Sequence, residues 1–269
     1  MTLEHVRVER QPGVAVLTLD LPEKHNALSR ASMRDLAAAF GDCSRDDELR
    51  VLVLTGAGDR SFCSGADLTD GSPDGSNPIA ARERHLRIEP MGHFGHLMLA
   101  LRSVPKPVIA AINGHAVGGG LSLALACDIR IAAENASFCC AYVRRGMMPD
   151  TGVTLALPRL VGLERALELL WTGEVIDAAR AQAIGLVSRV VPAERLLDEA
   201  KALAGRIARQ APLPVELTKK AVYAALDGDR YRDALVWESW AQELCVASED
   251  GREGVRAFFE KREPRFEGR

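Results

Sequence analysis

Apolar residues fall along this chain in two regimes, short alternating or continuous runs first and helical stripes later. Val6-Arg7-Val8-Glu9 alternates, and 13–20 is apolar and β-rich. Gln11-Pro12-Gly13 between them is a turn, so the start predicts a hairpin. Ser29 is the predicted N-cap of a helix on which Met33, Leu36 and Phe40 recur at helical spacing. Residues 51–55 predict a buried strand ending at Gly56-Ala57-Gly58. After Pro107 the pattern predicts a strand over 108–112, a turn at Asn113-Gly114, a helix over 118–126 and a strand over 128–132. Such alternation predicts an α/β core with a parallel component.

From Pro192 onward the stripes are helical, at 196–207, 215–226, 234–246 and 251–261. The chain is therefore expected to divide into an α/β core, 1–195, and a helical region, 196–269, serving as a lid or an oligomer interface. The Gly/Pro/Ser/Asp run over 70–78 predicts a mobile loop. No fixed-period repeat is visible.

Composition narrows the function classes. The 269 residues are 47% apolar and 26% charged, as in ordinary globular domains. A net charge of -3 with no basic run makes no case for nucleic acid. The N-terminus has no apolar signal core, and no segment approaches the ~20 uncharged residues of a membrane span, so a cytoplasmic location without membrane insertion is expected. Six cysteines without CxxC pairing are expected to be reduced core filler, the adjacent Cys139-Cys140 included.

Candidate chemistry sits in three segments. Gly118-Gly119-Gly120 opens a helix after a strand and turn; it serves either tight packing or close approach of backbone to a ligand. It is neither a dinucleotide fingerprint nor a P-loop. Gly65-Ala66-Asp67 is a second glycine-bearing segment, in which Asp67 is also a candidate helix cap. Two backbone N–H donors on different segments are a common way of building an oxyanion hole. Asp150, in Met148-Pro149-Asp150-Thr151-Gly152, is either a helix cap or a lone carboxylate base.

The stretches Phe62-Cys63-Ser64-Gly65-Ala66-Asp67-Leu68, the run from Pro107 to Gly120 and Cys127-Asp128 resemble the enoyl-CoA hydratase/isomerase (crotonase) superfamily. So do 22–28 near the start and 257–262 near the end, so the likeness spans nearly the whole chain. The resemblance implies a crotonase-like spiral of ββα units with a C-terminal helical oligomerisation region. It implies a homotrimer or hexamer acting on an acyl-CoA substrate, with no metal and no other cofactor. Carried over, the oxyanion hole is the N–H groups of Ala66 and Gly119. Lys24, Ala27 and Leu68 line the CoA groove, and Phe258 and Lys261 reach a neighbouring subunit's CoA. For Lys24 and Lys261 a solvated surface lysine is the competing reading.

The chain departs from the hydratases of that superfamily at their two water-activating glutamates. Ser122 and Tyr142 stand there instead, and neither hydroxyl is a general base near neutral pH. Both are expected to line the acyl pocket, Tyr142 as a wall or as a hydrogen-bond donor. An acid at the Asp150 position resembles the dienoyl-CoA and epoxy-phenylacetyl-CoA isomerases, in which it moves a proton between carbons. It also resembles the 4-chlorobenzoyl-CoA dehalogenases, which need a histidine base in the preceding helix. His96, with His93 and His85 nearby, is the candidate, although an ungapped count back from Pro107 puts Gly95 at that position. The expected function is thus double-bond isomerisation of an acyl-CoA thioester with Asp150 as acid/base. The alternatives are a weak enoyl-CoA hydratase, an aryl-CoA dehalogenase and a non-catalytic acyl-CoA-binding protein.

Overall fold

The computed structural model describes residues 3–69, 91–226 and 230–265, so the 70–78 run and His85 lie outside it. The strands are β1 (Val6–Gln11), β2 (Gly13–Leu19), β3 (Leu49–Gly56), β4 (Ser61–Cys63), β5 (Val108–Ile112), β6 (His115–Val117), β7 (Ile129–Ala133), β8 (Ser137–Cys139), β9 (Val175–Asp177) and β10 (Arg189–Val191). The helices, numbered over the described residues, are α1 (Arg30–Arg45), α2 (His93–Arg102), α3 (Gly119–Ala126), α4 (Val153–Val161), α5 (Leu163–Thr172), α6 (Ala178–Ala183), α7 (Leu196–Ala208), α8 (Pro212–Leu226), α9 (Arg230–Ala247) and α10 (Glu249–Glu260).

A six-stranded sheet runs in the order β1-β2-β3-β5-β7-β10, and a four-stranded sheet in the order β4-β6-β8-β9. The chain alternates between them. β3, β5 and β7 each belong to the larger sheet, and β4, β6 and β8, which follow them, each belong to the smaller. Within each sheet these successive strands pair in parallel, which produces the spiral. The β1–β2 hairpin is antiparallel. The short strands of the smaller sheet have too few residues to show a period, and the sequence pattern alone does not announce them.

The unbroken apolar runs of β3 and β5 follow from burial on both faces. Leu52, Leu54, Val108 and Ala110 enter the main core, which also holds Phe40, Phe62 and Phe138. Val51, Val53, Ile109 and Ala111 point the other way, into a smaller core closed by Leu196, Ala200 and Ala204 of α7. The division expected at 195/196 is therefore not a packing boundary, because α7 covers one face of the larger sheet. The helices that reach away from the sheet begin with α8. That helix is tied back by Lys219, which pairs with Asp128 at 2.8 Å, and by the Tyr223 hydroxyl, which donates to the other oxygen of the same carboxylate at 2.6 Å. No helix among the described residues is long and apolar enough to cross a membrane.

Ser29 caps α1 through a reciprocal box: Ser32 N donates to Ser29 Oγ at 3.1 Å, and Ser29 N donates to Ser32 Oγ at 2.9 Å. Replacing Ser29 with alanine removes one half of that box. We expect a loss of about 1 kcal/mol, seen in thermal unfolding as a fall of about 2–4 °C in Tm.

Candidate active site

The site begins where two backbones touch with no side chain between them. Parallel pairing of β4 with β6 brings the segment after β4 alongside the turn that opens α3. A Cβ on Gly65 would stand 2.7 Å from the Val117 carbonyl oxygen and 3.1 Å from Gly119 N, and Gly65 itself is left-handed at φ 89°. A Cβ on Gly120 would come within 2.1 Å of the Cys63 oxygen. Only glycine permits this approach.

The segment from 22 to 28 closes on the other side of β4. Leu28 N donates to Gly65 O at 2.7 Å, Asp67 N to Leu28 O at 3.0 Å and Ser64 N to His25 O at 3.0 Å. Asn26 fixes this bend at φ 55°, with its amide donating to Ala57 O and Ser61 O. After these bonds are made, neither the N–H of Ala66 nor that of Gly119 has a protein acceptor among the described residues. Gly119 opens α3, whose first-turn N–H groups have no acceptor within the helix and carry its partial positive charge.

Both segments face a cleft of ≈ 60 Å³ that Leu68, Phe94, Tyr142, Met147, Asp150 and Gln242 also line. Among the described residues Asp150 is its lone carboxylate. The Tyr142 hydroxyl lies 2.8 Å from Ser122 Oγ and 2.8 Å from Thr151 Oγ1, and Thr151 donates to Ser122 at 2.5 Å. These hydroxyls form a closed triangle. Burial, with the neighbouring Asp150 charge adding to it, pushes the Tyr142 phenol well above its ordinary value and keeps it neutral. Asp150 is pushed up to about 7, first because protein surrounds it and second because Glu238 carries a like charge nearby. Its residual accessibility comes from the cleft it lines.

Several sequence expectations change here. Asp150 does not cap a helix: α4 starts at Val153, and its cap position is Gly152 at φ 77°. Nor does Asp67 begin a helix at Leu68. Its carboxylate takes the N–H and hydroxyl of Thr69 and pairs with Lys24 at 2.9 Å. Burial works against its ionisation, but the bonds from Thr69 and Lys24 outweigh that and hold it below its usual range. Ser122 does not line the cleft; it stands behind Tyr142 and Thr151 and meets the site through them. His93 and His96 are exposed on α2, and the α2 residue facing the cleft is the apolar Phe94, so neither histidine stands as a base beside Asp150.

Lys24 and Ala27 lie on the segment bonded to β4 but outside the lining of the cleft. Phe258 lines a separate hollow of ≈ 570 Å³, joined to the cleft through Arg145, whose guanidinium lies 4.5 Å from the Phe258 ring centroid. Lys261 ends α10 as an exposed left-handed residue. The cysteines are unpaired thiols; burial pushes Cys140, next to the site, up to about 12.

Sequence reading missed Glu238 and Gln242, both on α9. The signal was present. Tyr231, Leu235, Glu238 and Gln242 recur at helical spacing, and the first two are buried, so a carboxylate and an amide fall on the inward stripe. Glu238 Oε2 accepts Gly152 N–H, and Oε1 accepts Thr154 N–H at 3.1 Å together with the Thr154 hydroxyl. Gln242 Oε1 accepts Met148 N–H at 2.7 Å. The loop carrying Asp150 is thus held on both sides by one helix.

The family profile for enoyl-CoA hydratase/isomerase matches residues 9–269. A crotonyl-CoA hydratase of Syntrophomonas wolfei is 40% identical over 267 residues, covering 99% of each chain. A 1,2-epoxyphenylacetyl-CoA isomerase of Escherichia coli is 39% identical over 267 residues, covering 99% of this chain and all (100%) of the relative. The crystal structure of an enoyl-CoA hydratase from Mycobacterium avium subsp. paratuberculosis superposes with a TM-score of 0.86 at 31% identity, covering 99% of this chain and 100% of that one.

A carboxyl whose folded value is raised destabilises the fold when it ionises. The cost of Asp150 is absent below its unfolded value near 4 and is complete above about 7. We expect Asp150→Asn to match the parent protein in Tm at pH 4 and to exceed it increasingly up to pH 8, as read by thermal unfolding across that range.

Proposed function

This chain belongs to the enoyl-CoA hydratase/isomerase family, and within it we propose that the protein shifts a double bond in an acyl-CoA thioester by moving one proton with Asp150. The observation that carries this reading is a single carboxylate, near neutrality in its proton affinity, facing the same cleft as the free N–H groups of Ala66 and Gly119.

In this reading the thioester oxygen accepts both N–H groups. The carbon next to the carbonyl, or the γ carbon of a conjugated chain, becomes acidic because the electron pair released from the C–H bond is held as an enolate on that oxygen. Ionised Asp150 takes the proton. Neutral Asp150 then returns it at a different carbon, and the double bond re-forms in its new place. An acid near 7 does both jobs well, since either protonation state is accessible at neutral pH.

Hydration requires a base to activate water. The residues at the hydratase glutamate positions are hydroxyls bonded to one another, and the phenol is held neutral, so among the described residues the cleft offers water no base besides Asp150. Nucleophilic displacement on an aryl ring loses support from the outward histidines of α2. Assembly into a trimer or hexamer through the helical tail belongs to the same reading. It is supported by Trp237 and Trp240 of α9, which are 58% and 56% exposed.

The test is isotope exchange. With 3-enoyl- or 3,5-dienoyl-CoA in deuterium oxide, double-bond migration with deuterium uptake is expected, and Asp150→Asn should lower its rate by about a hundred- to ten-thousand-fold. Products made in oxygen-18 water should carry no label. A labelled 3-hydroxyacyl product would instead mark a hydratase, and exchange indifferent to Asp150→Asn would remove Asp150 from the chemistry.

A further inference from the structure

The carboxylate that seats Asp150 lies 88 residues further along the chain, on a helix that takes no part in the cleft's backbone. Glu238 is wholly buried, with 0% of its surface exposed. Its acceptors go to Gly152 N–H, Thr154 N–H and the Thr154 hydroxyl, which are the donors of an α4 N-terminus that has no side-chain cap of its own. An anion at this place is favoured by the helix end. Four residues on, Gln242 takes Met148 N–H. Asp150 sits between the two grips.

Resting on the reading of Asp150 as the acid/base, we propose that Glu238 is its positioning residue, holding the loop in register with the Ala66 and Gly119 donors and acting on Asp150 as a neighbouring negative charge once it is ionised. Burial raises the proton affinity of Glu238 itself, and the bonds from Thr154 and Gly152 work against that rise. Gripping α4 alone does not require a charge, because a neutral acceptor also caps a helix. The charge has a second effect. Two carboxylates in one low-dielectric region resist being ionised together, so the one that faces the substrate keeps its proton to higher pH. Burial and the Glu238 charge both act in that direction on Asp150.

Other charged and titratable groups also stand around the pair. Tyr231 of α9 packs against Gly152 and is raised by burial, so it stays neutral; Tyr142 is neutral for the same reason. Arg102 of α2 lies 4.9 Å from the Tyr231 ring centroid and 3.5 Å from that of Tyr223. Arg145 lines the cleft and lies against Phe258. His93 and His96 of α2 are exposed on its outer side.

The experiment is the pH profile of deuterium exchange, with KM and kcat separated, for the parent protein, Glu238→Gln and Glu238→Asp. In the parent the acidic limb should have its midpoint near 7, in line with Asp150. Glu238→Gln should move that midpoint down by about one pH unit with KM for the thioester little changed, and Glu238→Asp should bring it back toward the parent value. An unmoved midpoint in a folded, active Glu238→Gln would overturn the proposal and leave Glu238 a helix cap. Carbon-13 NMR of labelled glutamate in the parent protein needs no Glu238 variant. The Glu238 signal should show an inflection at the Asp150 midpoint that disappears in Asp150→Asn, and its absence in the parent would also count against the proposal. Failure of the underlying reading looks different: exchange is then absent in the parent, or persists in Asp150→Asn.

Discussion

Everything in this site depends on two backbones lying in contact. Gly65 lies where a side chain would strike the backbone at Val117 and Gly119, and Gly120 sits against Cys63 with no room for a methyl group. The contact has a chemical result as well as a packing one. It leaves the N–H groups of Ala66 and Gly119, which line one cleft, without protein acceptors among the described residues, an arrangement that a folded protein tolerates only where something else will accept them. The parallel pairing of β4, β6 and β8 sets the spacing, and the segment from 22 to 28 locks it from outside.

Behind that pair of donors the hydroxyls of Ser122, Tyr142 and Thr151 satisfy each other in a buried triangle. The remaining carboxylate in the cleft is on the opposite loop, and its neighbour Glu238 is hidden behind it. One carboxylate thus lines the cleft while the other faces the frame. The division follows from their partners: Glu238 has three protein donors, whereas the Asp150 carboxylate takes its own backbone N–H and lines the cleft.

Much of this was legible in the residues. The β1–β2 hairpin, the Ser29 cap, the long buried strands and the tail helices follow from apolar spacing, because each is long enough to show its period. The glycine segments and Asp150 stood out because their residue types are scarce and chemically specific. The short strands of the smaller sheet were not legible, since three residues carry no period. The place of α7 was missed because its stripe of Leu196, Ala200 and Ala204 reads equally well as tail or as sheet cover. Asp150 as a helix cap was a fair reading of local sequence. It failed because the cap is supplied across a separation of 86 residues, and propensity carries no information about such a partner.

That separation has a consequence for the life of the molecule on the ribosome. The two glycine segments, the hydroxyl triangle and Asp150 all lie within the first 151 residues, and α7, which covers the larger sheet, follows at 196–208. The grips on the Asp150 loop arrive only with Glu238 and Gln242, 86 residues after Gly152 and 94 after Met148. A chain that emerges in order therefore has both glycine segments and Asp150 in hand before the side chains that hold the Asp150 loop, so the register of that loop waits on α9.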